Sequence, residues 1–291
     1  MAVYRPLEKI ILRFSMSSTI QSALRNFYEQ VGDKYPEEEL VYETLRGRLR
    51  KEYVLSVLAT FRGSLLDVGC NRGMYLLHYK GGFRCGIDLS HAVLRRVPSD
   101  CGLHLVVADA ENLACLRTAQ FDHVLCSEVL EHCLHPQRVF AGIFDVLRPG
   151  GTALLTTPNY RGKRPQWIAP GVLTDFGVTC ECNAGYYHTA YRPAELQQMA
   201  EKTGFQVLDV GTLEKEVKYA AKVPAALLIA GRLFNRLLRS ERLGRANEAF
   251  FHRFTLVIYR VMRKTRLEKL VLPFIREGVR SRILLQKPQI Q

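Results

Sequence analysis

The chain has 291 residues, 47% of them apolar, and a formal net charge of +13. That length and apolar content mark a globular protein with a buried core. No stretch approaches roughly 18 uninterrupted apolar residues, and no signal-peptide core with a small-residue cleavage site opens the chain, so neither a membrane span nor secretion is expected. Eight cysteines are scattered through expected strands and helices, which reads as reduced thiols in a cytoplasmic protein. Cys180 and Cys182 with His188 nearby match none of the usual four-ligand zinc spacings. The charge is not spread evenly. Residues 1–214 hold 23 basic and 23 acidic side chains and the remainder 18 and 5, so the whole excess lies after residue 214.

In chain order, residues 1–62 read as a helical cap. Ile10, Ile11, Phe14, Ile20, Leu24 and Phe27 fall at helical spacings before Pro36, and a second amphipathic helix is expected over Glu38 to Phe61. From residue 63 to 214 strands and helices alternate, with strands expected near 64–69, 83–88, 103–108, 121–126, 151–157 and 205–211. Such alternation predicts an α/β fold whose parallel sheet carries helices on both faces.

The first strand runs into Leu65-Leu66-Asp67-Val68-Gly69-Cys70-Asn71-Arg72-Gly73. Gly69 lets the backbone turn sharply beside a ligand, and Gly73 lets the next helix pack closely. At the tip of the second strand, Asp88 can accept hydrogen bonds from two ribose hydroxyls. A dinucleotide site requires G-x-G-x-x-G, which fails here at Asn71. S-adenosylmethionine has no phosphate to cradle and fits D-x-G-C-x-x-G.

Farther along, Ser127-Glu128-Val129-Leu130-Glu131-His132 follows the fourth strand. In a helical turn Glu128, Glu131 and His132 share a face and can hold a divalent cation, or His132 can act as a general base. Beyond the fifth strand, a loop to about residue 190 carries Arg161, Lys163, Arg164, Trp167, Phe176, Tyr186 and Tyr187 and is the expected acceptor wall.

With Val107-Ala108-Asp109-Ala110-Glu111, Phe121-Asp122-His123-Val124 and Leu147-Arg148-Pro149-Gly150-Gly151 in the same order, the chain resembles the class I S-adenosylmethionine-dependent methyltransferases, in particular the ubiquinone-biosynthesis O-methyltransferase group. The resemblance implies a doubly wound, seven-stranded, mostly parallel Rossmann-like sheet. It assigns Asp67 and Gly69 to the methionine end of the cofactor, Asp88 to the ribose, and Asp109 with Ala110 to the adenine edge. Cys70, Gly73, Leu89 and Ser127 belong to the same cofactor blocks. It also implies magnesium or a similar ion at Glu128, Glu131 and His132, completed by His188, with Glu128, Glu131 and His132 organising the acceptor hydroxyl.

The family's last strand matches Ser281-Arg282-Ile283-Leu284-Leu285-Gln286-Lys287-Pro288, so residues 281–291 are expected to close the sheet and 215–280 to form a basic helical insertion. Within it Leu227, Ala230, Gly231, Phe234, Leu237 and Leu238 share a helical face apart from Arg232, Arg236 and Arg239. In a second segment Phe250, Phe254, Val257, Ile258 and Val261 are apolar and Arg253, Arg260 and Lys264 basic. Apolar faces beside arginines suit an interfacial membrane helix, a self-packed subdomain, a dimer contact or RNA. The expected activity is O-methylation of a lipid-like or membrane-associated acceptor. RNA 2′-O-methylation and a non-catalytic cofactor-binding scaffold are the alternatives.

Overall fold

The computed structural model describes residues 7–36, 40–159, 167–168, 171–179, 186–238 and 240–289, with side chains described from Gln21 onward. Ile10, Ile11, Phe14 and Ile20 therefore lie outside the described side chains, and Arg161, Lys163, Arg164, Cys180 and Cys182 outside the described residues. α1 spans Leu7–Lys34. α2 spans Leu45–Leu58, shorter than the helix expected over 38–61, because Thr44 caps its N-terminus by accepting a hydrogen bond from the Gly47 N–H at 3.1 Å.

The sheet strands are β1 Leu65–Val68, β2 Arg84–Asp88, β3 His104–Val107, β4 Phe121–Ser127, β5 Leu147–Pro158, β6 Gln206–Leu213 and β7 Arg280–Gln286. Their order is β3-β2-β1-β4-β5-β7-β6. The first five pair in parallel, and β7 inserts antiparallel between β5 and β6, with Leu154 opposite Leu284. This is the expected seven-stranded sheet, with the last strand where the sequence places it. β5 begins four residues earlier than expected because Leu147 already pairs with Phe121.

Both faces of the sheet are covered, which explains why β1 is apolar almost without interruption. On one side α5, Pro136–Val146, and α6, Pro193–Thr203, pack Phe140, Ile143 and Leu196 against Phe121, Leu155 and Ile283. On the other, α2 and the short α3, Met74–His78, pack Val54, Leu58 and Leu76 against Leu65, Leu125 and Leu154. α4, His91–Leu94, follows β2 and meets α1. The packing leaves the C-terminal ends of β1, β2 and β4 open beneath α1.

Between β6 and β7 the chain forms a turn of helix at Glu216–Ala220, then α7, Lys222–Leu238, α8, Glu241–Lys264, and a turn at Glu268–Val271. Leu256, Ile258 and Tyr259 of α8 join Val217 and Ala220 against Leu45 and Leu49 of α2. The α7–α8 contact is built from small and polar groups. Asn247 donates to the Leu228 carbonyl at 3.1 Å, and a Cβ at Gly231 would meet the Asn247 side chain at 2.6 Å. Gly231 therefore points inward and leaves the face it was expected to share with Leu227, Ala230 and Phe234. Ile258 likewise turns toward α2, away from Phe250 and Val257. Leu237, Leu238 and Arg239 lie outside the described side chains.

Candidate active site

A cavity of about 1070 Å³ lies over the open strand ends, lined by Asp67, Gly69, Asp88, Asp109, Ser127 and His132 among others. Gly69 leaves β1 with a φ of 73°, and a Cβ there would meet Val129 at 2.3 Å, so the turn accepts glycine alone without rearrangement. Asp88 accepts the Asn71 N–H at one carboxylate oxygen and the Ser90 N–H at the other, both at 2.9 Å. The Leu89 N–H also bonds this carboxylate, which leaves part of its acceptor capacity, about four lone-pair positions in all, for a ligand hydroxyl. Burial raises the Asp88 pKa, with the Ser90, Asn71 and Leu89 N–H groups opposing.

Asp67 is buried at 2% exposure, and its Oδ2 has no hydrogen-bond partner among the described residues. Burial, with Asp88 adding, pushes its carboxyl well above the usual carboxylate range. A ligand cation brought beside that oxygen would recover the desolvation it costs, on the order of 1–3 kcal/mol. Cys70, Leu89 and Ala110 also line the cavity, and the Asp109 carboxylate accepts the Glu111 N–H at 2.8 Å, which fixes this turn. Gly73 stands behind the wall. Its φ of 73° begins α3 against Leu103, a packing role.

The opposite half of the cavity is aromatic. Phe27 and Tyr28 of α1 reach in, Tyr186 stacks on Phe27 with centroids 5.0 Å apart, and Tyr28 meets His132 edge-on at 5.5 Å. His132 hydrogen-bonds the Tyr187 backbone, while its Nδ1 is buried with no protein partner among the described residues. Burial, and then the neighbouring His188, pull the His132 pKa down to about 3. The ring is therefore neutral at physiological pH and weakly basic. Trp167 and Tyr187 pair in a two-residue antiparallel ladder next to this wall, and Phe176 packs edge-on to Tyr35, just past the end of α1.

The E-x-x-E-H segment does not form the expected helical turn. Leu130–His132 is a single 3-10 turn, and Glu128 precedes it with a φ of 63°, so Glu128 points away from Glu131 and His132. Its carboxylate instead meets Arg50 of α2 at 2.9 Å and Arg280 of β7, and accepts from the Thr156 hydroxyl at 3.0 Å. Glu131 lies behind the wall with Thr157 donating to it at 3.2 Å, and Glu131, His132 and His188 place their ligand atoms within 4.8 Å of one another. Three of the four expected metal ligands thus come together, and Glu128 does not.

Arg50, Phe27, Tyr28 and Tyr42 are cavity residues that sequence reasoning missed. They sit on helices that read only as amphipathic. The Arg50 guanidinium also lies 5.6 Å over the Tyr42 ring.

The methyltransferase-domain family matches residues 39–210, more than half of the chain. The chain belongs to the class I S-adenosylmethionine-dependent methyltransferases. A ubiquinone biosynthesis O-methyltransferase of Xanthomonas axonopodis pv. citri (strain 306) is 30% identical over 171 residues, covering 56% of this chain and 70% of its own. One of Coxiella burnetii (strain RSA 331 / Henzerling II) is 28% identical over 170 residues, covering 56% and 71%. The solved S-adenosylmethionine-dependent methyltransferase of Mesorhizobium loti shares the fold, with a TM-score of 0.50 at 16% identity over 83% of this chain and 99% of its own.

For this methyltransferase, the cavity fits the donor. The orphaned Asp67 oxygen suits the ammonium of the methionine end, and the remaining acceptor capacity of Asp88 suits a ribose hydroxyl. Magnesium fits less well. With Glu128 engaged by two arginines, the donors left are two imidazoles and one carboxylate, a set that suits a first-row transition cation better than a hard oxygen-seeking ion.

Proposed function

We propose that the methyltransferase methylates a hydroxyl oxygen of a lipid-like acceptor. The carrying observation is His132, whose neutral ring lines the same cavity as Asp67, Asp88 and the Phe27, Tyr28 and Tyr186 rings, with a buried Nδ1 that has no protein partner among the described residues. Bound S-adenosylmethionine supplies an electrophilic methyl group on a sulfonium. The protein's own residues supply position. Asp88 and Asp67 orient the donor, and the Phe27, Tyr28 and Tyr186 rings exclude water and hold an apolar or planar acceptor.

The Tyr187 hydrogen bond occupies the other ring nitrogen, so Nδ1 can accept the acceptor's O–H and fix its oxygen toward the methyl. With a pKa of about 3 the imidazole serves better as an orienting acceptor than as a terminal proton store. A cation held by Glu131, His132 and His188 would take the Nδ1 lone pair in place of that hydrogen bond and supply positive charge at the acceptor oxygen instead. The names of the curated relatives, O-methyltransferases of ubiquinone biosynthesis, support oxygen as the acceptor atom and a lipid-like quinone precursor as its class.

Incubation with methyl-labelled S-adenosylmethionine and fractionated cell extract tests the reading. Label is expected in the solvent-extractable lipid fraction, attached through oxygen. Label confined to RNA or protein would refute it, and 2′-O-methylated RNA would establish the alternative.

A further inference from the structure

The α7–α8 hairpin is amphipathic the wrong way round for a self-packed subdomain. Its inner contact includes Asn247 and Gly231, with an exposed ion pair between Arg232 and Glu248 at the rim, while large apolar side chains face outward. On α7, Val223, Leu227, Ala230 and Phe234 follow the i, i+4, i+7, i+11 spacing of one helical stripe and all are exposed, Phe234 by 59%. Ile229 and Leu233 extend the stripe at 59% and 55%. On α8, Phe250, Phe254, Val257 and Val261 repeat the same spacing. Phe250, Val257 and Val261 are about half exposed, and the Phe250 and Phe254 rings lie 5.3 Å apart. Leu270 and Phe274 continue beyond α8, Phe274 at 86% exposure.

Scattered exposed apolar residues need no explanation, but continuous stripes of this kind mark a contact surface. The charge says what covers it. Arg253, Arg260 and Lys264 border the α8 stripe and are exposed, and from residue 215 onward 18 basic residues face 5 acidic ones. A second copy would bring like charges together around its apolar centre. Nucleic acid would meet the arginines and leave the aliphatic side chains in water. A bilayer surface with anionic headgroups satisfies both, by apolar burial and attraction of the flanking cations. No described helix is long and apolar enough to cross a membrane, so the contact lies in the interface plane.

We infer that the insertion between β6 and β7 docks this methyltransferase on an anionic lipid bilayer, with the outer stripes of α7 and α8 entering the headgroup region. The inference is independent of the acceptor reading, because docking is scored without methyl transfer. The full chain is sedimented with phosphatidylcholine vesicles and with vesicles containing phosphatidylglycerol, at low and high salt. Binding is expected to the anionic vesicles, weakened by salt. It should fall roughly fivefold for each of Arg253→Gln and Arg260→Gln. Loss on the order of tenfold is expected for each of Phe234→Asn and Phe250→Asn. All four side chains are solvent-facing, so these variants keep the helical circular-dichroism spectrum and S-adenosylhomocysteine binding of the parent.

Failure to sediment with anionic vesicles, or equal binding to neutral ones, overturns the inference. So does a concentration-dependent dimer abolished by the Phe variants in the absence of lipid, which would make the stripes a contact between copies. RNA binding that the arginine variants weaken, without vesicle binding, overturns it in favour of nucleic acid.

Discussion

Replacing Arg280 by methionine probes the link between the insertion and the active site. Arg280, the first residue of β7 and 7% exposed, pairs through Nε with Glu214, itself 3% exposed, and with Glu128 at the cavity wall. Glu128 keeps a second cation in Arg50, whereas among the described residues Glu214 keeps the more remote field of Arg50 and Arg46. Burial already pushes the Glu214 pKa up to about 7 from 4.5. Removing one partner of a buried pair costs about 3–5 kcal/mol while the other is ionised. For a chain of this size that is a fall in Tm of roughly 6–10 °C.

Protonation of Glu214 relieves the penalty. Because its folded pKa lies above the unfolded one, the stability that Glu214 contributes is present below pH 4.5 and lost as pH rises through about 7. In Arg280→Met the carboxyl takes up its proton at higher pH still. Differential scanning calorimetry should therefore show a loss at pH 8 that exceeds the loss at pH 5.5 by about 1.4 kcal/mol, roughly 3 °C, with that difference absent when Arg280→Met is made in a Glu214→Gln background. A loss under about 2 °C, or one equal at both pH values, would refute the reasoning.

Asp88→Asn should weaken S-adenosylhomocysteine binding about 10- to 100-fold by calorimetry, since the amide loses one charge-assisted acceptor and turns its NH2 toward a backbone N–H. An unchanged Kd would remove Asp88 from the cofactor site. His132 has a folded pKa of about 3, below its unfolded 6.5, so the stability it contributes is present above pH 6.5 and lost as pH falls toward 3. The Tm of the parent should accordingly fall further than that of His132→Asn between pH 7 and pH 5, and parallel falls would mean the imidazole is not held neutral by burial. Manganese or zinc should raise Tm while magnesium at equal concentration should not, and His188→Ala should abolish the rise. A magnesium-specific shift would contradict the donor assignment.

The cofactor half of the site was legible because its signals are local. A strand, a glycine turn and a carboxylate at the next strand tip are each written within nine residues, and the last strand was found through its match to the family's final strand despite the long insertion. The Glu128 side chain was misread because its partner Arg280 is remote in sequence and because a φ of 63° breaks the helical spacing on which the shared face depended. No local pattern announces that geometry. Arg50 and Tyr28 escaped for a related reason, since an amphipathic helix shows which face is apolar but not which polar residue meets a cavity. In the insertion the stripes were readable and their direction was not. Gly231 and Asn247, which set the hairpin contact, carry no hydrophobic signal.

Calorimetric titration of the full chain with S-adenosylhomocysteine, alongside NAD as the dinucleotide control, bears most directly on the nature of the cavity. A methyl-donor site with an orphaned Asp67 oxygen and a ribose-facing Asp88 predicts saturable binding of one S-adenosylhomocysteine per chain and none of NAD. Absence of S-adenosylhomocysteine binding, or preference for NAD, would contradict it.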